Sequence, residues 1–197
     1  MKRVVFIRHG QLAPPYHDYL KLSFQQLAEL GRQDVDPPID VNIFSYEGPN
    51  LDGIDAVYRA TSLRCHQTTQ QLVGDTYTGI IEERKELNEV YFDLEKLLTE
   101  AEYIQHGFQR VRESIFDGIV RSKEGVDSVY SIIDTLKTLR ELLESSQSNN
   151  ILCVTHGFLM RFLEVSFRYN KPLEKLTAED LLSYTNYGYA KGFEIQL

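Results

Sequence analysis

The chain has 197 residues, 42% of them hydrophobic, with 21 Lys and Arg against 29 Asp and Glu. That length suits one domain spanning 1–197, and the apolar fraction allows a real core. A net charge of −8 argues against a general nucleic-acid or anionic-membrane surface, which would be basic. A locally positive pocket for an anionic small molecule is still allowed.

Two cysteines, Cys65 and Cys153, are too few for a disulfide scaffold and fit no zinc spacing. Met1-Lys2-Arg3 resembles the start of a signal peptide, but the apolar run after it is too short and meets Arg8-His9. No segment is long enough to span a bilayer. The reading is a soluble cytoplasmic protein with reduced, buried thiols.

Val4-Val5-Phe6-Ile7 is an unbroken β-favouring run, the pattern of a central parallel strand buried on both faces. It delivers Arg8, His9 and Gly10 to the carboxyl edge of a sheet, where open α/β folds bind ligands. Arg clamps phosphoryl oxygens, His can attack phosphorus, and Gly lets backbone approach a ligand. An irregular loop follows. Ser23 and Gln26 then form a capping box, opening a short helix through Leu27 and Leu30 with Gly31 as its stop. There is room for a further helical turn from Arg32 before Pro37-Pro38. Residues 39–53 read as loop, with room for a short strand at Val41–Phe44.

Ile54–Tyr58 reads as the next strand. A helix over Leu63–Val73 follows, capped by Ser62 or Thr61 and closed by Gly74. Arg64 falls in its first turn, where free N–H groups and the helix dipole favour an anion. Ile80-Ile81-Glu82 is a third strand, and Arg84–Leu94 an extended loop carrying Glu89. Thr99 and Glu102 make a second capping box. Behind it Ile104, Phe108, Val111, Ile115 and Ile119 mark an amphipathic helix ending near Val120. Gly125 breaks the chain, and Asp127 or Ser128 caps a long helix to about Leu143.

Ile151–Val154 repeats the opening pattern and ends in Thr155-His156-Gly157. A helix through Leu159, Phe162 and Leu163 follows, ending before Lys171-Pro172. Thr177 starts one more short helix. Phe193–Leu197 alternates strictly, as a half-solvated edge strand does. Alternating strands and helices give an α/β fold with a mainly parallel sheet.

Parallel strands place Arg8-His9, Arg64 and His156 along one sheet edge, with Glu89 able to reach it. Those residues supply a nucleophile, an anion clamp and a general acid for phosphoryl transfer. His17, His66 and His106 have no motif context and are not offered as metal ligands. Among the loop tyrosines Tyr16, Tyr19, Tyr91 and Tyr103, some could line a pocket for an organic leaving group, although packing explains most of them.

In this pattern the chain resembles the histidine phosphatase superfamily, the phosphoglycerate mutase-like family. The resemblance rests on Arg8-His9-Gly10, the segment Leu27–Gln33, and Asp55-Ala56-Val57-Tyr58 followed by Ser62–Thr68. Leu87-Asn88-Glu89 and Val154-Thr155-His156-Gly157 complete it, in the family's order. It implies a three-layer α/β/α fold with a helical lid insertion at about 95–124. It further implies that His9 is phosphorylated during turnover and that Arg8, Arg64 and His156 bind the phosphoryl group. Gln11 and Gly157 join that phosphate-binding set. Glu89 would protonate the leaving oxygen and then activate water, with no metal or organic cofactor. The implied partner is a phosphorylated small molecule, with phosphoprotein also open.

The chain departs from the mutases in places. Gln11-Leu12 and Ala13-Pro14-Pro15 replace the residues usual after the signature glycine. Val90-Tyr91-Phe92-Asp93 replaces the mutase sequence after Glu89. The expectation is therefore a phosphatase, with a mutase or a non-catalytic phosphate-binding module as the alternatives.

Overall fold

A computed structural model describes residues 1–197. In chain order the elements are β1 (Arg3–Arg8), α1 (Phe24–Gly31), β2 (Ala56–Arg59), α2 (Leu63–Val73), β3 (Ile80–Glu83) and α3 (Leu94–Leu97). They continue with α4 (Glu100–Val120), α5 (Val129–Ser145), β4 (Asn150–Thr155), α6 (Gly157–Leu163), α7 (Ala178–Ser183) and β5 (Gly192–Gln196). A short 3-10 turn covers Lys85–Leu87, and α6 runs on into a π-helical turn at Glu164–Arg168.

The five strands form one sheet in the order β3-β2-β4-β1-β5. The first four are parallel and β5 pairs antiparallel to β1. The helices complete an α/β/α sandwich. Val4–Ile7 and Ile151–Val154 are wholly buried, as expected for central strands covered on both faces. One continuous apolar core joins the sheet to the helices around it. β5 alternates buried and exposed residues, the half-solvated edge expected from its sequence. No helix is long and apolar enough to cross a membrane.

The capping boxes at Ser23 and Thr99 form as expected. Of the paired alternatives, Ser62 caps α2 and Ser128 caps α5. Thr61 instead bonds the Asn88 side chain, and the Asp127 carboxylate accepts the Tyr91 N–H at 2.8 Å.

Four local expectations are corrected. No strand forms at Val41–Phe44, and Val41 and Ile43 are exposed. Asp40 turns the chain there instead, its carboxylate accepting the Asn42 N–H and its carbonyl the Ile43 N–H. The chain makes only an isolated bridge, Leu12 to Ile39.

α1 ends at Gly31, but Gly31 is its last helical residue and not a left-handed stop beyond it; Arg32 is the cap and Gln33 takes the left-handed region at φ 61°. The missing side chain of Gly31 makes room for Phe92, since a Cβ at Gly31 would overlap the Phe92 ring. Gly31→Ala is therefore expected to cost about 2 kcal/mol, within the range of overpacking. Urea unfolding should show a lower midpoint at unchanged slope. An unchanged midpoint would contradict that contact.

The residues after Arg32 form a turn and not a second helical turn. Finally, Ile104 is exposed despite its helical spacing. Gly107 adopts φ 65°, ψ −163° and kinks α4. The apolar stripe loses phase there and resumes at Val111, Ile115 and Ile119.

Candidate functional site

Strand register assembles the site. β1 and β4 pair with Arg8 opposite Thr155, so both His-Gly turns leave the sheet side by side. The His9 N–H donates to the Thr155 carbonyl at 2.8 Å, and the two imidazole centroids lie 5.3 Å apart. β2 ends on the same edge and leads through Ser62 into α2, which carries Arg64 in its first turn. On the other flank the turn before β5 closes on His9, whose carbonyl accepts the Ala190 N–H. This brings Tyr189 to the same edge.

These groups open on a cavity of about 380 Å³. Arg8, His9, Arg64, Glu89 and Gly157 line it. So do Tyr19, Phe92, Phe158 and Tyr189, as well as Phe108 and Arg112 from α4 beyond its kink. The volume falls within the ordinary range for small-molecule sites.

His9 is buried, and its Nδ1 lies 2.8 Å from the Gly10 carbonyl oxygen. A carbonyl only accepts, so Nδ1 carries the proton and Nε2 keeps the lone pair. Burial first, then the Arg64 and Arg8 charges, holds the His9 pKa well below the usual imidazole value. The ring is thus neutral at neutral pH.

Arg8 donates from Nη1 to the Tyr187 carbonyl at 2.7 Å, while its Nε has no partner. Its guanidinium lies 4.3 Å from the centre of the Tyr189 ring, a cation–π contact that fixes its plane. Gly157 lies alongside, where a Cβ would be 3.1 Å from Arg8 Nε. A side chain at that position would crowd the guanidinium.

Arg64 donates from Nε to His156 Nδ1 at 3.2 Å and from Nη1 to Asp36 Oδ1 at 2.9 Å. Asp36 Oδ2 accepts the Leu63 N–H, so this carboxylate ties the α2 N-terminus to Arg64. Because His156 Nδ1 accepts, its proton sits on Nε2, which faces Ser62 Oγ and Cys65 Sγ. Burial, then Arg64, holds the His156 pKa well below the usual value.

Glu89 accepts the N–H groups of Val90 and Leu159 at Oε1 and of Phe158 at Oε2. It thereby caps the free N–H groups of α6, whose own N-cap residue His156 supplies no side-chain bond. Burial raises its pKa above the ordinary carboxylate value, against the pull of those N–H groups and Arg64.

Of the residues singled out in the sequence, the structure brings Arg8, His9, Arg64, Glu89 and Gly157 to one cavity. His156 stands directly behind Arg64 and is not part of the cavity wall. Gln11 does not line the cavity either, and its side chain donates to the His17 carbonyl at 3.3 Å. Gly10 is buried against Phe44, so its backbone is not presented to a ligand. Of the four loop tyrosines only Tyr19 lines the cavity, and His17 joins it without any motif.

Sequence reasoning missed Tyr189, Phe108, Arg112 and Arg161. Only Arg161 carried a usable signal, as a lone arginine on an otherwise apolar helix directly after His156. No group of three or more His, Cys, Asp or Glu side chains is placed to hold a metal ion.

No curated protein matches the chain. Among solved structures, YhfR from Bacillus stearothermophilus superposes with a TM-score of 0.67 at 16% identity, covering 100% of this chain and 92% of that one. A mycobacterial glucosyl-3-phosphoglycerate phosphatase, solved with inorganic phosphate, gives 0.65 at 14% identity over 100% and 90%. A phosphoglycerate mutase from Bacillus anthracis gives 0.52 at 15% identity over 86% and 81%. At such identities these likenesses concern the fold.

The family model for branch 1 of the histidine phosphatase superfamily matches residues 48–191. That span omits Arg8-His9-Gly10, which the sheet register returns to Arg64, Glu89 and His156. With most of its length matched and its fold shared, the chain belongs to the histidine phosphatase superfamily.

Proposed function

We propose that the chain is a phosphatase that hydrolyses phosphate monoesters through a phosphohistidine on His9. The observation that carries this reading is the neutral, oriented imidazole of His9 facing the same cavity as Arg8, Arg64 and the Glu89 carboxyl group. In the first step His9 Nε2 attacks phosphorus as the bond to the leaving oxygen breaks. Protonated Glu89 gives its proton to that oxygen. In the second step the Glu89 carboxylate takes a proton from water, the oxygen attacks phosphorus, and the P–N bond breaks to release phosphate.

A phosphoryl transition state is loose and mostly needs positioning and positive charge. The Arg8 and Arg64 guanidiniums supply both, as charge-assisted donors to the equatorial oxygens. His156 and Asp36 hold Arg64 in place and act through it. The segment 95–124 serves as a lid within a single domain, since Phe108 and Arg112 reach the cavity from α4. The Tyr103 hydroxyl, donating to the Leu22 carbonyl, ties the lid to the loop that carries Tyr19.

Purified protein treated with a chelator is expected to release phosphate from phenyl phosphate as a continuous turnover. Activity that appears only with added metal would overturn the mechanism. A requirement for a bisphosphate primer would place the protein with the mutases. Binding without release would make it a phosphate-binding module.

A further inference from the structure

The cavity holds more positive charge than one phosphoryl group requires. Arg8 and Arg64 suffice for a phosphate dianion, yet Arg112 and Arg161 line the same cavity, whose two acidic residues are Glu89 and Asp18, the latter ion-paired with Lys21. Arg161 lies in α6 and is 2% exposed. Its Nη1 donates to the carbonyls of Leu181 and Tyr184 at 2.6 and 2.9 Å. Its Nη2 is buried with no partner. A buried guanidinium N–H left unpaired is costly, and an anion held by Arg161 would remove that cost.

Arg112 approaches from α4. It pairs with no carboxylate, and its one side-chain hydrogen bond is donated from Nη1 to the Gln109 amide oxygen at 3.3 Å. The two cations raise each other's energy, and burial together with Arg112 pushes the Arg161 pKa down to about 10. Glu164 relieves this only in part. Its Oε1 is already shared among Tyr187, Tyr169, Thr185 and Arg168, and it does not line the cavity.

We infer that Arg112 and Arg161 form a second anion subsite, so that the preferred substrate is a phosphate monoester whose leaving group carries its own oxyanion. A carboxylate and a second phosphate share the chemistry that a guanidinium pair recognises. Tyr19 and Phe108, stacked on each other at 5.9 Å, both line the cavity and give it an apolar surface for an aromatic leaving group. The turnover part of the test rests on the phosphatase reading, while the binding part does not.

The probes are phenyl phosphate, the meta and para carboxyphenyl phosphates, and 1,3-phenylene bisphosphate. At least one doubly anionic probe is expected to exceed phenyl phosphate in kcat/KM by about tenfold, the scale of one charge-assisted contact. The better class identifies carboxylate or phosphate as the second anion. In Arg112→Gln that ratio should fall to about one, and Arg112→Lys should keep part of it. Arg112 is the test position because Arg161 also anchors the chain around α7, and its loss would disturb folding.

Calorimetric binding of the same probes to His9→Ala reads the subsite without turnover. The same tenfold preference is expected there. If no doubly anionic probe binds or reacts better than phenyl phosphate, the inference is overturned. It is equally overturned if the preference survives Arg112→Gln. If no probe is hydrolysed but the binding preference holds, the phosphatase reading fails and the subsite stands.

Discussion

Replacing His9 by alanine is expected to lower kcat by at least about 10⁴-fold, because it removes the proposed nucleophile. The Arg8 and Arg64 clamp would remain, and with it phosphate binding. KM for phenyl phosphate should therefore change far less than kcat. His9 is buried, so its removal leaves a small void. His9→Gln, which keeps most of the volume but has no nucleophilic nitrogen, separates chemistry from packing. Both variants should be equally inactive, and a glutamine variant retaining a tenth of the activity would exclude His9 as the attacking group.

Glu89→Gln carries the second large effect, a fall in kcat of about 10²–10⁴-fold for an alkyl phosphate, the usual range for a general acid. The effect should shrink for an aryl phosphate, whose leaving oxygen needs little protonation. There the second step becomes limiting, and product should appear as a burst followed by a slow phase. Glutamine can still accept from the Leu159 N–H, but its amide faces a further donor at Phe158. A modest loss of stability at the start of α6 is expected alongside.

The pH dependence follows from the same two groups. His9 must be neutral to attack, and its lowered pKa keeps it so to well below pH 6.5. Glu89 must be protonated for the first step, and its raised pKa extends that form above the ordinary carboxylate range. Activity should therefore fall on the alkaline side as Glu89 ionises, at a pH above the ordinary carboxylate range. Glu89→Gln should lose that alkaline limb. Comparing the two profiles cancels the substrate's own ionisation near pH 6. A limb that persists unchanged in the variant would assign it to another group.

The sheet and its edge were legible because buried parallel strands have a distinctive sequence. Val4–Ile7 and Ile151–Val154 are unbroken apolar runs, and each ends in a His-Gly pair. Once the strands are parallel, their register alone sets His9 beside His156. The capped start of α2 placed Arg64 in a first helical turn, but its part in the site was read from the Ser62–Thr68 resemblance. Glu89 was chosen among neighbouring acidic residues by the Leu87-Asn88-Glu89 resemblance, not by any local physics.

The rest was hidden for physical reasons. Gly31 looks like a helix stop until Phe92, sixty-one residues later, is seen to need the space. Gly107 reads as tolerable within a helical stripe, yet it takes a left-handed φ and turns Ile104 outward. Tyr189 and Arg112 reach the cavity through tertiary contacts that no spacing encodes. Asp36 follows α1 in what reads as a loop, and only the fold ties it to Arg64. Gln11 follows the signature directly in sequence, but the chain turns it toward the His17 carbonyl instead.

The central claim is a covalent phosphoryl group on His9. Mixing the protein with labelled phenyl phosphate and quenching in alkali within milliseconds tests it directly, because phosphohistidine survives base and is lost in acid. The account predicts label that is retained in alkali and released in acid, that maps to the peptide containing His9, and that is absent from His9→Ala. It also predicts that the label accumulates to a higher level in Glu89→Gln. Turnover of the same substrate with no label on the protein at any quench time, or label on another residue, would contradict it.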